Sequence, residues 1–486
     1  MRIALVNPPL GDIKSLGLSI SFFQKYEPLG ILYIAAVAQE HGYPVEVIDC
    51  GAEDLPLDAL KQRLLSGRPD VVGISTLTLQ GAAVFDLGRW LKKSLPKTFV
   101  VLGNIHASVF SKEFLNNGCC DAVVHGEGEH VFLNILECLE KKRGLSAIPS
   151  ISHFDQAGGL REDKRSAAVA DLSALPPPAR SLLAGNSYGL DAISNQVFVA
   201  GRPASVKTII TSRGCPNTCS FCSASHGRAP RFNSPGRIVD EMQRLAQEDG
   251  VEYFYIEDSL FVSNKSHLLA VCEEITRRGL RIRWGAQAHV NFLDLEMLRA
   301  MEWAGCYDIA IGIESGVQRV LNSINKNIRL EGIARCVEMV KSESRIKISG
   351  LFMLGLPDET YQEALETIRF AKSLPLDFAQ FSVCTPYPGS PLFDRLREAG
   401  ALDTGVRPDG SVEPSVWNRY FAYPAFADIA PIWTPSTMTR REIIGLQRRA
   451  QREFYCRPKM IFKNLKRIRS KNITTLCRLL WKGLAW

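Results

Sequence analysis

The sequence predicts an α/β chain made of a doubly wound parallel sheet, then a partial barrel, then a mostly helical C-terminal region. Three observations carry this. Short apolar runs alternate with amphipathic stretches over residues 1–143 and again over 207–395. Pro176-Pro177-Pro178 and Gly158-Gly159 mark a linker over 144–206. Cys215, Cys219 and Cys222 share one loop directly after the first strand-like run of the second unit.

In the first unit, strands are expected at 2–7, 44–49, 70–75, 98–102 and 121–124. Helices are expected at 29–40, 57–65, 80–94, 108–117 and 129–142. Five such repeats fit a flavodoxin-like order, whose ligands lie beyond the carboxyl ends of the strands. Those ends carry Asn7-Pro8-Pro9, Ser75-Thr76-Leu77, Gly103-Asn104-Ile105-His106 and His125-Gly126-Glu127-Gly128-Glu129. Glycines and small polar residues gather where a large ligand needs close backbone approach.

In the second unit, strands are expected at 207–212, 251–256, 281–285, 307–311, 346–353 and 378–384. Helices are expected at 236–248, 265–278, 294–303, 330–342 and 360–373. Six repeats are too few to close a barrel of eight, so a partial (β/α)6 TIM-type barrel follows, with its chemistry at the carboxyl strand ends. Glu257 and Asp258 end the second strand, where carboxylates can accept hydrogen bonds from an ammonium group; a solvated acidic turn is the alternative. Residues 396–486 hold Pro- and aromatic-rich loops, a helix around 438–456 and a basic tail.

The totals exclude several classes. With 486 residues, 46% hydrophobic and 22% charged, the chain fits a soluble globular protein of two or three domains. Thirteen cysteines without a secretory signal point to a reducing, cytoplasmic setting. The chain starts directly on a strand-like run, so no targeting peptide is expected. No apolar run reaches the ~18 residues of a membrane span. Residues 457–486 carry nine Lys or Arg and no acid, while the preceding 456 residues carry 49 basic and 51 acidic groups. The body is therefore no nucleic-acid binder. In the tail, Ile461, Leu465 and Ile468, then Ile473, Leu476, Leu480 and Leu484, recur at helical spacing beside Lys463, Lys466, Arg467, Arg469 and Lys471. That pattern suits a helix lying peripherally on an anionic membrane. A helix packed on the barrel with a solvated basic face is the alternative.

The most specific stretch is Arg213-Gly214-Cys215-Pro216-Asn217-Thr218-Cys219-Ser220-Phe221-Cys222. Zinc sites take four closed ligands from paired Cys units. Three thiolates instead suit a 4Fe–4S cluster with one iron left open. The spacing, with Phe221 before the last cysteine, resembles the signature of the radical S-adenosylmethionine enzymes. The resemblance implies that the open iron chelates S-adenosylmethionine and that reductive cleavage yields a 5′-deoxyadenosyl radical. An electron donor such as flavodoxin or ferredoxin is implied with it.

Further motifs carry the resemblance over about residues 1–395. Ser75-x-Leu77, Gly103-Asn104-x-His106 and Gly126-Glu127-Gly128-Glu129 are similar to the cobalamin-binding domain that precedes the radical domain in one subgroup. Asn104 stands where the family's second Gly is usual. Gly312-x-Glu314-Ser315-Gly316 resembles a segment that touches S-adenosylmethionine. Gly350–Pro357 resembles the segment beside its adenine, and Thr385–Ser390 the ending of the sixth strand. At Gln287-Ala288-His289 many relatives end on Arg. Residues 7–12 read Asn-Pro-Pro-Leu-Gly-Asp in place of the family's Asp-x-His-x-x-Gly. Cobalamin without a lower His ligand is therefore expected, with a residue of the Thr76–Thr78 turn beneath the cobalt. Cys306, Cys336 and Cys384 read as small buried hydrophobes.

The resemblance implies a methyltransferase that moves a methyl group through methylcobalamin to an unactivated carbon. The substrate would be a hydrophobic small molecule or lipid, such as a hopanoid or tetrapyrrole. The alternative uses the same cofactors for ring closure or rearrangement, as in anaerobic magnesium-protoporphyrin monomethyl ester cyclases. A cobalamin-responsive regulator is disfavoured by the intact cysteines. A tRNA methylthiolase is disfavoured because Cys50, Cys119, Cys120 and Cys138 lack a second three-Cys spacing. No side chain is singled out as catalytic.

Overall fold

The structure, a computed structural model, describes residues 1–10, 26–183, 188, 198–199, 202–427, 429–458 and 460–461. In the first unit, β1 (Ile3–Asn7), β2 (Val45–Asp49), β3 (Val71–Ser75), β4 (Phe99–Gly103) and β5 (Ala122–Val124) lie parallel in the order β2-β1-β3-β4-β5. Their residues are almost all buried, as strands covered by helices on both faces must be. The packing helices are α1 (Leu29–Glu40), α2 (Leu57–Gly67), α3 (Gly81–Ser94) and, after β5, Glu129–Glu140.

Two features depart from the expectation. The helix expected at 108–117 is two short helices, Ile105–Val109 and Ser111–Asn116, hinged at Phe110. The sheet also continues into the expected linker: β6 (Ile151–Phe154) pairs antiparallel onto β5 and β7 (Leu160–Glu162) onto β6, giving seven strands. The linker thus contributes to the first domain's sheet before it crosses to the second.

The second unit has β8 (Val206–Ile209), β9 (Tyr253–Ile256), β10 (Arg283–Ala288), β11 (Cys306–Glu314), β12 (Lys347–Leu354) and β13 (Phe378–Val383). All pair parallel in sequence order, forming the expected partial barrel. Burial alternates residue by residue along β12, with Ile348, Gly350, Phe352 and Leu354 buried under helices. Ser349, Leu351 and Met353 face the more open lumen.

The C-terminal region has one long helix among the described residues, Arg440–Tyr455, whose buried face packs on the barrel edge. Thr439 caps it, with Glu442 completing a capping box. Before that helix the chain passes back over the first unit, and Trp417 enters its core. Residues 462–486, where most of the expected membrane helix falls, lie outside the described residues. No helix among the described residues is long and apolar enough to cross a membrane.

Candidate functional site

The three-cysteine loop, residues 214–230, hangs from a two-residue ladder. Ser212–Arg213 pairs antiparallel with Arg231–Phe232. Gly214 adopts φ +95°, and a side chain there would meet Ala229 O at 2.6 Å, so glycine is required. Cys219 is buried, Cys215 half-buried and Cys222 exposed. Cys222 N–H donates to Cys219 O (3.2 Å) and Cys215 N–H to Gly227 O (3.2 Å). Ser220 is held from both sides: its N–H donates to Ile324 O (3.0 Å), and its carbonyl accepts from Leu392 N–H (2.8 Å). Burial pushes the Cys219 thiol up; Lys326 opposes this, while Glu314, Cys222 and Cys215 add to it. Among the described residues no three His, Cys, Asp or Glu side chains are gathered closely enough to hold a metal ion, the three cysteines included. Three soft donors on one loop, beside a cation, fit a cluster with one open iron better than tetrahedral zinc.

The barrel mouth faces this loop. Glu314 ends β11 at φ +65°, where the register with β12 shifts. A non-glycine residue in that conformation is held there by its surroundings. Its carboxylate accepts from Lys326 Nζ (2.7 Å), and both are buried. Burial alone would lower the Lys326 ammonium pKa, but Glu314 and then Cys219 raise it. Its Nζ also lies 5.8 Å from the Phe221 ring centroid. Nothing in the local sequence marks Lys326, which stands between Asn325 and Asn327 with Ile324 and Ile328 outside them. His289 is buried beside Lys326, and burial lowers its imidazole to about 4. Deeper in the lumen, Tyr253 Oη donates to Asp308 Oδ1 (2.6 Å), and Tyr26 stacks on Tyr255 at 6.1 Å.

Two expected cofactor contacts at this mouth are engaged by the protein itself. Asp258 accepts from Thr211 N–H (2.7 Å), Ser212 N–H (2.9 Å), Ser212 Oγ (2.7 Å) and the Thr211 hydroxyl. It braces the backbone leading into the cysteine loop and has no free lone pairs for an ammonium group. Ser315 Oγ is bonded with Thr367 Oγ1 (3.1 Å) and accepts from Val317 N–H (3.2 Å), so it locks the turn after β11. Glu257 remains exposed at the mouth, its carboxyl raised by the surrounding protein and then by Asp258.

The carboxyl edge of the first sheet divides in the same way. Leu77 is 46% exposed, an uncovered apolar side chain just past β3. A Cβ added at Gly103 would meet nothing, and its φ is not positive, so the fold itself does not demand glycine there. Asn104 sits at φ +77°, ψ 170°, a conformation close to glycine-only. Its side chain caps Ile105 N–H (2.7 Å) and donates to Ser75 Oγ (3.2 Å). Open, glycine-like backbone beside an exposed leucine is a cradle that fits a large planar ligand.

His106, expected at the same ligand, is fully buried and walled by Trp417 at 4.5 Å and Phe110 at 4.7 Å between ring centroids. Burial lowers its imidazole to about 3. It is a neutral core histidine, because the C-terminal region covers it with Trp417. His125 is bonded by Ser108 and Ser152, and His41 faces the Val37 carbonyl. None of these three stands free at the edge. Glu127 is also redirected: it accepts from Arg231 Nη2 (2.6 Å), Arg231 Nη1 (2.9 Å) and Val169 N–H (2.6 Å). Gly126, at φ +84°, is tight against Ala167 and Ser166.

Gly389, after β13, shows how near the two edges come. A Cβ there would stand 2.7 Å from Ile105 Cδ1 and 3.6 Å from Ser223 Cβ. Ile105 adjoins the Asn104 cradle, and Ser223 follows Cys222. The open edge of the first sheet and the cysteine loop therefore meet across one residue.

Family comparisons agree with this layout. The B12 binding domain model matches residues 16–136 and the Radical SAM superfamily model residues 209–371. An uncharacterized methyltransferase of Pyrococcus horikoshii is 32% identical over 471 residues, covering 96% of this chain and 95% of that protein. The chain belongs to the cobalamin-binding radical S-adenosylmethionine enzymes. The enzyme is also 27% identical over 466 residues to the anaerobic magnesium-protoporphyrin IX monomethyl ester cyclase of Cereibacter sphaeroides, covering 94% of this chain and 70% of that protein. Its fold matches that of the radical S-adenosylmethionine methyltransferase TsrM from Kitasatospora setae, with a TM-score of 0.67 at 17% identity, covering 94% of this chain and 89% of that one. The family's cofactors are cobalamin, S-adenosylmethionine and a 4Fe–4S cluster, and this chain carries both binding domains.

Proposed function

We propose that the enzyme methylates an unactivated carbon of a hydrophobic small molecule or lipid. The observation that carries this is the meeting of the two edges at Gly389. It lets two cofactors held on separate domains address one substrate atom. In this reading Cys215, Cys219 and Cys222 hold the cluster, and Phe221, Glu257 and Glu314 line the S-adenosylmethionine side. Ser75, Leu77, Gly103 and Asn104 would hold cobalamin, with the Thr76–Thr78 turn part of the same cradle. The bound groups together supply a hydrogen-abstracting radical and a transferable methyl group. The chain's own residues orient and shield. Lys326 neutralises Glu314 beside the cluster loop, and the apolar Leu77 and Ile105 side chains keep water from the gap. A flavodoxin or ferredoxin supplies the electron. Specificity lies in the lumen and in the C-terminal region, which reaches it where Gln380 bonds to Tyr423.

A second reading, ring closure with the same cofactors, is favoured by the similarity to the cyclase over 94% of this chain. The test is turnover of reconstituted enzyme with methyl-deuterated S-adenosylmethionine and a lipid and pigment extract. Methyl transfer puts deuterium in one extract component, with deoxyadenosine and S-adenosylhomocysteine formed together. Deoxyadenosine with an unlabelled, altered component would favour ring closure.

A further inference from the structure

We propose that Glu127 and Glu129 of the first domain position the cluster loop of the second, through Arg213 and Arg231. The inference rests on the reading that both cofactors bind. The loop 214–230 has two stems, and Arg213 and Arg231 are ladder partners at their root. Both guanidinium groups leave the barrel and end on carboxylates of the first domain. Arg213 Nη2 donates to Glu129 Oε1 (2.6 Å), and its Nη1 lies 3.2 Å from Glu127 Oε2. Arg231 grips Glu127 with both terminal nitrogens, at 2.6 and 2.9 Å. The Arg213 guanidinium also stands 5.3 Å from the Tyr33 ring centroid on α1.

Several features make this a positioning device rather than general domain adhesion. Arg213, Glu127 and Glu129 are 4%, 7% and 3% exposed, so water cannot substitute for a lost partner. A planar two-pronged guanidinium fixes direction as well as distance. Gly126 holds the acidic segment rigid, since any Cβ there would fall 2.4 Å from Ala167 O and Ser166 Oγ. Glu127 N–H donates to Ala167 O (2.9 Å), so the backbone beside the carboxylate is pinned too. Arg213 precedes Cys215 by two residues. The same segment follows β5 at the carboxyl edge of the first sheet. A shift of that sheet therefore moves both stems of the cysteine loop together.

The test uses Glu127→Gln, an isosteric change, in enzyme loaded with cobalamin and iron. The readout is microwave-power saturation of the cob(II)alamin electron paramagnetic resonance signal, with the cluster oxidised and then reduced. A reduced cluster nearby speeds relaxation of the cobalt spin, with steep distance dependence. Wild type should show this enhancement. Glu127→Gln should keep full iron and cobalamin while the enhancement falls at least twofold, and Arg213→Lys, which retains a donor for Glu129, should fall between. Equal enhancement in wild type and Glu127→Gln at full loading would overturn the proposal. If Glu127→Gln does not fold, Glu129→Gln carries the same test. Hydrogen exchange on cofactor-free protein provides the independent arm: amides of 212–215 and 227–233 should exchange at least tenfold faster in the variant, and unchanged stems would overturn the clamp. Wild type that binds no cobalamin or iron would instead overturn the functional reading.

Discussion

At the scale of single residues, Glu359 has the most measurable consequence. It is fully buried; Oε2 accepts from Gly355 N–H (2.6 Å) and Leu356 N–H (3.2 Å), while Oε1 has no partner among the described residues. Burial raises its carboxyl from 4.5 to about 7, outweighing those two backbone bonds. The folded chain thus keeps a proton that the unfolded chain releases near 4.5. Stability should fall as pH rises between those values, by about 3 kcal/mol in all. Glu359→Gln should melt like wild type at pH 5 and several degrees higher at pH 8; equal melting points at pH 8 would refute this. The same residue scale shows where sequence runs out. Gly103 and Gly126 look alike as loop glycines, yet one stands open and the other is wedged against Ala167 and Ser166. His106 and Asp258 carry ligand chemistry in the sequence, but Trp417 walls in the one and Thr211 with Ser212 bonds the other. Partners far along the chain decided those roles, about three hundred residues away for His106 and nearly fifty for Asp258, and no local pattern encodes them.

At the scale of elements, periodicity made the two units legible, because strands covered by helices must be short and apolar. It failed at β6 and β7, where a polar segment with Gly158-Gly159 reads as a linker and pairing of β6 onto β5 and of β7 onto β6 decides otherwise. It also missed the bolt between the C-terminal region and the first domain. Trp417 is fully buried against Phe85, Phe110, Phe114 and His106, and its Nε1–H donates to Thr404 O (2.9 Å). Gly81, the first residue of α3, makes the room, since a Cβ there would stand 2.4 Å from His106 Nε2 and 2.9 Å from Trp417 Cε3. Trp417→Ala should cost about 3–5 kcal/mol, and Gly81→Ala about 1–3 kcal/mol by overpacking. Denaturant melts would register both. A Trp417→Ala variant within about 0.5 kcal/mol of wild type, the scatter of surface substitutions, would mean the C-terminal region is not bolted there.

At the scale of the whole molecule, charge is divided along the chain. Everything before residue 457 is nearly neutral, and the last thirty residues carry nine positive charges without an acid. The described structure leads up to that boundary. Arg457 Nη1 donates to Lys372 O (2.7 Å) and stacks 4.1 Å over Phe454, while Met460 is buried and Ile461 is 44% exposed. The long C-terminal helix also exposes Arg440, Arg441 and Arg452. A nearly neutral body has no reason to seek an anionic surface, so any such binding must come from this end. Each basic group near a charged bilayer contributes roughly 1 kcal/mol, and screening over ~10 Å at 0.1 M salt weakens it. The 486-residue chain should therefore sediment with phosphatidylglycerol vesicles at low salt and release at high salt. Deleting 462–486 should abolish the binding while leaving the melting temperature of the folded body unchanged. A lowered melting temperature with unchanged vesicle binding would show that the tail packs on the barrel, and would remove the argument that the substrate is drawn from a membrane.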